Sequence, residues 1–275
     1  MAVRLFEGKE HASSYWRYRV APSEELLNKV LGFLKRNTDS PCLELAVDVG
    51  CGSGQGTVLL AQHFTKVVGT DISPAQLEQA VKHSSAPNIS YRECPAEELP
   101  FEDGTVDLVT VMSAFHWFDH SRFLQEADRI LKPRGCLAIL NYSLDIELSY
   151  GDCTEELKKI SREYHDILQS HRHAYLGPGS KVLYEQTYNS LSYPVKEWVP
   201  CFWVRQIVPL SRYLGMMESF SCFQLLLQKD PEAAHRLSQD MTQRLLSAMK
   251  VTSTETEVTM GVCYFYFQAC KPSAE

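Results

Sequence analysis

Apolar positions change their period along this chain, and the changes mark out its elements. Residues 24–35, "EELLNKVLGFLK", set Leu27, Val30, Leu31 and Leu34 at helical spacing behind Pro22 and Ser23, which predicts a helix. "CLELAVDVG" is a short apolar run closed by glycine and reads as a buried strand. "QGTVLLAQHF" reads as a helix and "KVVGTD" as a second strand; "SPAQLEQAVKHS" follows as a helix capped by Ser73 with Pro74 in its first position. "ISYREC" and "TVDLVTVMS" read as strands, "SRFLQEADRILK" as a helix punctuated by Gly135, and "GCLAILNYS" as a further strand. Strand and helix thus alternate between residues 43 and 142, the pattern of a parallel sheet covered by helices on both faces.

Beyond residue 142 the pattern changes. Residues 150–170 and 210–249 carry Tyr, Leu and Met at helical spacing, whereas residues 197–210 and 256–271 are rich in Val and aromatics and read as late strands. No linker or repeat divides the chain. The expectation is one domain over 1–275, with a ligand-binding core at 37–142, a helical cap at 145–250 and a last sheet strand at 255–271.

Composition narrows the partners. The net charge is -7 and no basic run appears, so nucleic acid is not an expected partner. No run of 18 apolar residues suggests a membrane span, and "MAVRLFEGKEHA" lacks the apolar stretch of a secretory signal. The nine cysteines form no C-x-x-C pair, which fits free thiols in a reducing, cytoplasmic compartment better than a disulfide framework. Oligomeric state is left open.

The candidate chemistry begins at "VDVGCGSGQGT", where Gly50, Gly52, Gly54 and Gly56 leave the backbone almost bare between a strand and a helix. That junction lies at the carboxyl edge of a parallel sheet, where open α/β folds bind ligands. The dinucleotide pattern G-x-G-x-x-G fails, because Gln55 stands at its last position, and the Lys-Ser/Thr pair of a phosphate loop is absent. S-adenosylmethionine (SAM) remains, a ligand with no phosphate that needs a bare main chain beside its methionine moiety. Asp71 ends the second strand, 21 residues after Gly50, where an acid can accept hydrogen bonds from a ribose diol. Asp48 is placed either to brace the loop or to reach the amino group of SAM.

"VDVGCGSG", "VVGTDIS", "AEELPFEDGTVDLVTVMSAFHWFD" and "EADRILKPRGCLAI", in this order, resemble the motifs of class I SAM-dependent methyltransferases. "SAFHWFD", "YWRYRVAP" and "SFSCF" are similar to segments of the small-molecule enzymes grouped with trans-aconitate methyltransferase, with Val20 and Phe220 where that group has Pro and Trp. The resemblance implies a doubly wound, seven-stranded, mostly parallel sheet with a helical cap. It implies SAM as cofactor, held by Tyr15, Arg19, Asp48, Gly50, Gly52, Gly54, Asp71, Ile72, Ala96 and Glu97. It places Ser113, His116 and Trp117 near the transferred methyl, and Tyr142, Ser219 and Ser221 around the acceptor; Arg172 within "HRH" and Arg205 inside an apolar strand are candidate partners for an anionic acceptor.

Each assignment has a plainer competitor: an acid as helix cap, a histidine as packing group, the "HRH" of 171–173 as a solvated face. A metal held by His116 and His120 would lack an evident third ligand, so none is expected. The activity expected is methyl transfer to a small molecule; the resemblance favours a carboxylic acid as acceptor, and Arg172 and Arg205 could pair with it. The alternatives are a protein or RNA methyltransferase and a SAM-binding protein without catalysis.

Overall fold

A computed structural model of the chain describes residues 16–18, 22–38, 40, 42–171 and 180–273. The first helix, α1 (Glu24–Asn37), starts where expected: Ser23 Oγ accepts the Leu26 amide at 3.1 Å. The alternating half then runs β1 (Leu45–Val49), α2 (Thr57–Leu60), β2 (Lys66–Asp71), α3 (Pro74–His83), β3 (Ile89–Glu93), β4 (Val106–Met112), α4 (His120–Ile130) and β5 (Leu131–Tyr142). The second half runs β6 (Glu147–Ser149), α5 (Thr154–Gln169), α6 (Ser180–Ser190), β7 (Val195–Pro209), α7 (Leu210–Glu218), α8 (Ser221–Lys229), α9 (Pro231–Met249) and β8 (Glu257–Cys270).

The strands form one eight-stranded sheet, in which β3, β2, β1, β4 and β5 are parallel in that order. β8 joins β5 antiparallel, β7 pairs along the far side of β8, and β6 pairs with Thr259–Gly261 of β8. The Rossmann-like fold is therefore as expected, with the short β6 as an eighth strand. Side chains alternate across the sheet. Ala46, Leu108, Ala138, Tyr264 and Tyr266 face one core with α1, α5, α7, α8 and α9. Val47, Val109, Ile139, Phe265 and Phe267 face the other, with α4 and Tyr184 of α6.

Four expectations are corrected. The helix after the glycine loop keeps only Thr57–Leu60, because the chain tightens there into three-residue turns at Ala61 and His63. Strand β5 begins at Leu131 rather than at Gly135: Leu131 already pairs with Val106, and a Cβ on Gly135 would meet the carbonyls of Lys132 and Val106 at 2.9 Å each. The interval of the helical cap holds, besides the late strand expected there (β7), the short β6 that was not expected. Cys201 and Cys263 are bonded to each other, because a bulge between Val199 and Phe202 brings Cys201 beside β8; the other seven cysteines are free. Among the described residues no helix is long and apolar enough to cross a membrane.

Candidate functional site

The carboxyl ends of β1, β2, β4 and β5 open into one cavity. Strand order divides it. Gly50, Gly52, Asp71, Ile72, Ala96 and Glu97 line the half over β1 and β2. Met112, Leu140, Asn141, Tyr142 and Tyr264 line the half over β4, β5 and β8, where Tyr142 and Tyr264 are register partners. Pro22 and Leu26, at the start of α1, close one side.

The glycine loop needs its glycines for two different reasons. Gly50, Gly52 and Gly54 all have positive φ, at 67°, 54° and 83°, a region that costs other residues about 1–2 kcal/mol. A Cβ on Gly50 would also strike Ala114 Cβ at 2.5 Å and Phe118 Cζ at 2.9 Å. Gly54 faces away from the cavity instead, and a Cβ there would reach Tyr91 Oη at 2.5 Å. Gly69 makes room for the same ring from β2. Tyr91 thus supports the loop from behind.

Two carboxylates hold the loop's shape. Asp71 Oδ2 accepts the Gly52 amide at 2.8 Å and Oδ1 accepts the Ser73 amide at 2.9 Å, tying the loop to the start of α3. Asp48 is 1% exposed and accepts both Thr57 Oγ1 at 2.7 Å and Thr110 Oγ1 at 2.9 Å. Burial raises its carboxyl to about 6, the two hydroxyls oppose that rise, and the charge of Asp71 adds to it. Cys51, beside them, is pushed well up by burial and by both acids, so it remains a thiol.

A third carboxylate shapes the opposite wall. Glu97 Oε1 accepts the Asp119 amide at 2.7 Å and so anchors the turn that carries Trp117 and Phe118. Ser113, at the end of β4, has φ 63°, a strained conformation for a serine, and donates its amide to the Leu140 carbonyl at 2.8 Å. The strain sits where β4 and β5 part, between the two halves of the cavity.

A methyltransferase-domain family model matches residues 47–139. A Dictyostelium discoideum protein, named provisionally as a methyltransferase, is 40% identical over 136 residues, 48% of this chain and 48% of that one. An uncharacterized methyltransferase-like protein of Schizosaccharomyces pombe is 28% identical over 192 residues, 70% of each. A solved structure from Anaeromyxobacter dehalogenans, named provisionally as a type II methyltransferase, superposes with TM-score 0.69 at 22% identity, covering 90% of this chain and 97% of that one. The chain thus spans about half the length of the Dictyostelium relative, while the structural likeness covers nearly all of it.

Residues 47–139 thus resemble a methyltransferase domain, and the Rossmann-like fold is consistent with a class I methyltransferase.

In this methyltransferase fold the expected residues separate into three sets. Asp48, Gly50, Gly52, Asp71, Ile72, Ala96, Glu97, Ser113, Trp117 and Tyr142 line the cavity. His116, Gly54, Arg205, Ser219 and Ser221 do not. His116 packs against Trp117 with ring centroids 5.1 Å apart. Arg205 stacks over Trp203 and lies 3.7 Å from Glu147 on the outer part of the sheet. Ser219 is fully buried and donates to the Met216 carbonyl at 2.6 Å, closing α7, while Ser221 begins α8. Tyr15, Arg19 and Arg172 lie outside the described residues.

Of the "HWFDH" turn, Asp119 caps α4 by accepting the Arg122 amide at 3.2 Å, and the His120 ring packs 4.6 Å from Phe115. Asn141, Tyr264 and Phe118 also line the cavity and were missed. The fit to SAM rests on this chain's own chemistry: two bare, positive-φ glycines against the space, an acid at the end of β2, and apolar Ile72 beside it. A carboxylate offers about four lone-pair sites, so Asp71 retains capacity for a ribose diol while holding Gly52 and Ser73.

Proposed function

We propose that this protein transfers a methyl group from SAM to a small-molecule acceptor. The observation that carries the reading is the meeting of Gly50, Gly52 and Asp71 on one wall of a cavity whose other half is separately lined. Gly50 and Gly52 would hold the methionine moiety, Asp71 the ribose, and Ile72, Ala96 and Glu97 the adenine side. Tyr15 and Arg19 would act at the carboxylate end of the ligand, by resemblance. SAM supplies an electrophilic methyl on a sulfonium.

This chain's residues then have to align and to exclude water. Positioning of two reactants in register can lower a barrier by roughly 7–11 kcal/mol. Ser113, on a strained backbone between the two halves, and Trp117, on the wall, would set that register. His116 does not line the cavity, so a role as base has no support from the geometry. The carboxylic-acid acceptor drew on Arg172 and Arg205; Arg205 lies near Glu147 outside the cavity, which leaves that choice without its described cation.

The test is incubation of the purified chain with methyl-labelled SAM and a panel of small hydroxyl, thiol, amine and carboxyl compounds, together with RNA and protein extracts. Labelled small molecules with release of S-adenosylhomocysteine (SAH) are expected. Label confined to RNA or protein contradicts the reading, and binding without any transfer supports the non-catalytic alternative.

A further inference from the structure

The acceptor half of the cavity has a chemistry of its own. Its described lining is Leu26, Met112, Leu140, Asn141, Tyr142 and Tyr264: hydrocarbon, one amide and two phenols. Among the described residues that line the whole cavity there is no Lys, Arg or His, and the three carboxyl groups, Asp48, Asp71 and Glu97, come from β1, β2 and the turn after β3. Resting on the methyl-transfer reading, we propose that this half selects an uncharged, largely apolar acceptor bearing a hydroxyl group, and discriminates against carboxylates.

Desolvation decides the charge. In the SAH-loaded protein a carboxylate brought here leaves water without a Lys, Arg or His among the described lining residues to pair with. An ammonium fares little better. The acids lie under the cofactor half, and the Tyr142 and Tyr264 rings meet edge to face, 5.8 Å apart at 64°, so they shield each other rather than form a box of open faces. An uncharged hydroxyl loses less hydration and finds matching groups. Asn141 is 6% exposed; its Oδ1 accepts the Tyr142 amide at 2.9 Å and its side chain also bonds the Tyr184 hydroxyl, which leaves one N–H for a ligand. Tyr264 is 3% exposed, and burial together with the neighbouring Tyr142 raises its phenol, so it keeps its proton throughout the working range. Met112, Leu140 and Leu26 provide the surface for the hydrocarbon body.

The test uses three probes of nearly equal size, benzyl alcohol, benzoate and benzylamine, titrated by ligand-observed NMR at pH 7 into the purified chain loaded with SAH, and again with SAM. Benzyl alcohol is expected to bind at least ten-fold tighter than either charged probe in the SAH-loaded state; with SAM, whose sulfonium repels an ammonium and attracts a carboxylate, its margin over benzylamine widens and its margin over benzoate narrows. Tyr264→Phe, which removes only the hydroxyl, is expected to weaken benzyl alcohol three-fold or more while SAH affinity stays within two-fold. Benzoate or benzylamine binding the SAH-loaded protein as tightly as the alcohol overturns the proposal, as does an SAH-loaded protein that binds none of the three at 10-millimolar probe, on the order of the weakest fragment affinities. If SAH itself does not bind, the methyl-transfer reading fails first, so the two failures are distinguishable.

Discussion

Asp71 and Gly52 are joined across the cavity floor: the carboxylate at the end of β2 accepts the loop's amide at 2.8 Å, with its second oxygen on Ser73. One side chain therefore sets both the path of the loop and the start of α3, at the position proposed for the ribose.

Removing that carboxylate has a defined cost. Hydrogen bonds to a charged group contribute about 1.5–3 kcal/mol each. Asp71→Ala is therefore expected to weaken SAH binding ten-fold or more in a calorimetric titration and to lower the melting temperature by a few degrees. Asp71→Asn, which keeps one acceptor, is expected to fall between. Unchanged affinity in the alanine variant would reduce Asp71 to a helix-capping residue.

Glycine substitutions separate strain from collision. Gly50 and Gly104 have nearly the same φ, 67° and 64°, but a Cβ on Gly104 meets nothing within 4 Å whereas one on Gly50 meets Ala114 and Phe118. Gly104→Ala is expected to cost about 1 kcal/mol in urea unfolding and to bind SAH normally. Gly50→Ala is expected to lose SAH binding and to destabilise several-fold more. Equal effects of the two would contradict the close approach at Gly50.

Asp48 makes stability depend on pH in a direction opposite to most acids. Its carboxyl is raised to about 6 from 3.8, so between those values the folded state holds a proton that the unfolded state has lost. The contribution is present in full below about pH 4 and is lost as pH rises past 6. Relative to Asp48→Asn, the wild-type protein is expected to lose about 2–3 kcal/mol between pH 4 and 7 in urea titrations. The difference between the two curves removes the opposing effects of Glu126, whose carboxyl is lowered mainly by Arg129. Parallel curves would show that Asp48 is ionised throughout.

The turn bearing Trp117 depends on Glu97, whose carboxylate accepts the Asp119 amide at 2.7 Å. Glu97→Gln retains an acceptor and is expected to bind SAH within a few-fold of wild type; Glu97→Ala is expected to shift Trp117 fluorescence and weaken binding further. Identical behaviour of the two variants would place the anchor elsewhere.

The parts of the site that were legible are those whose chemistry is local. Gly50, Gly52 and Asp71 could be read because bare backbone after a strand, and an acid at the end of the next, carry their meaning within a few residues. Asn141 and Tyr264 could not, because their place depends on β8 inserting between β5 and β7, which no alternation within "CYFYFQAC" reveals. Arg205 misled for a related reason. The bulge between Val199 and Phe202 changes the face on which later residues of β7 emerge, so Arg205 pairs with Gly261 while Glu197 pairs with Gln268 on the other face. Ser219 and Ser221 belong to a short resemblance that fixes no position, and both sit in the helical layer rather than at the strand ends. The shortened α2 follows from turns too tight for periodicity to detect.

The most direct measurement is an isothermal titration of the purified chain with SAH, run beside NAD and without added metal. The account predicts saturable one-to-one binding of SAH, a matching upward shift in melting temperature, and no response to NAD. A response to NAD with none to SAH or SAM would contradict the assignment of Gly50, Gly52 and Asp71 to a SAM site.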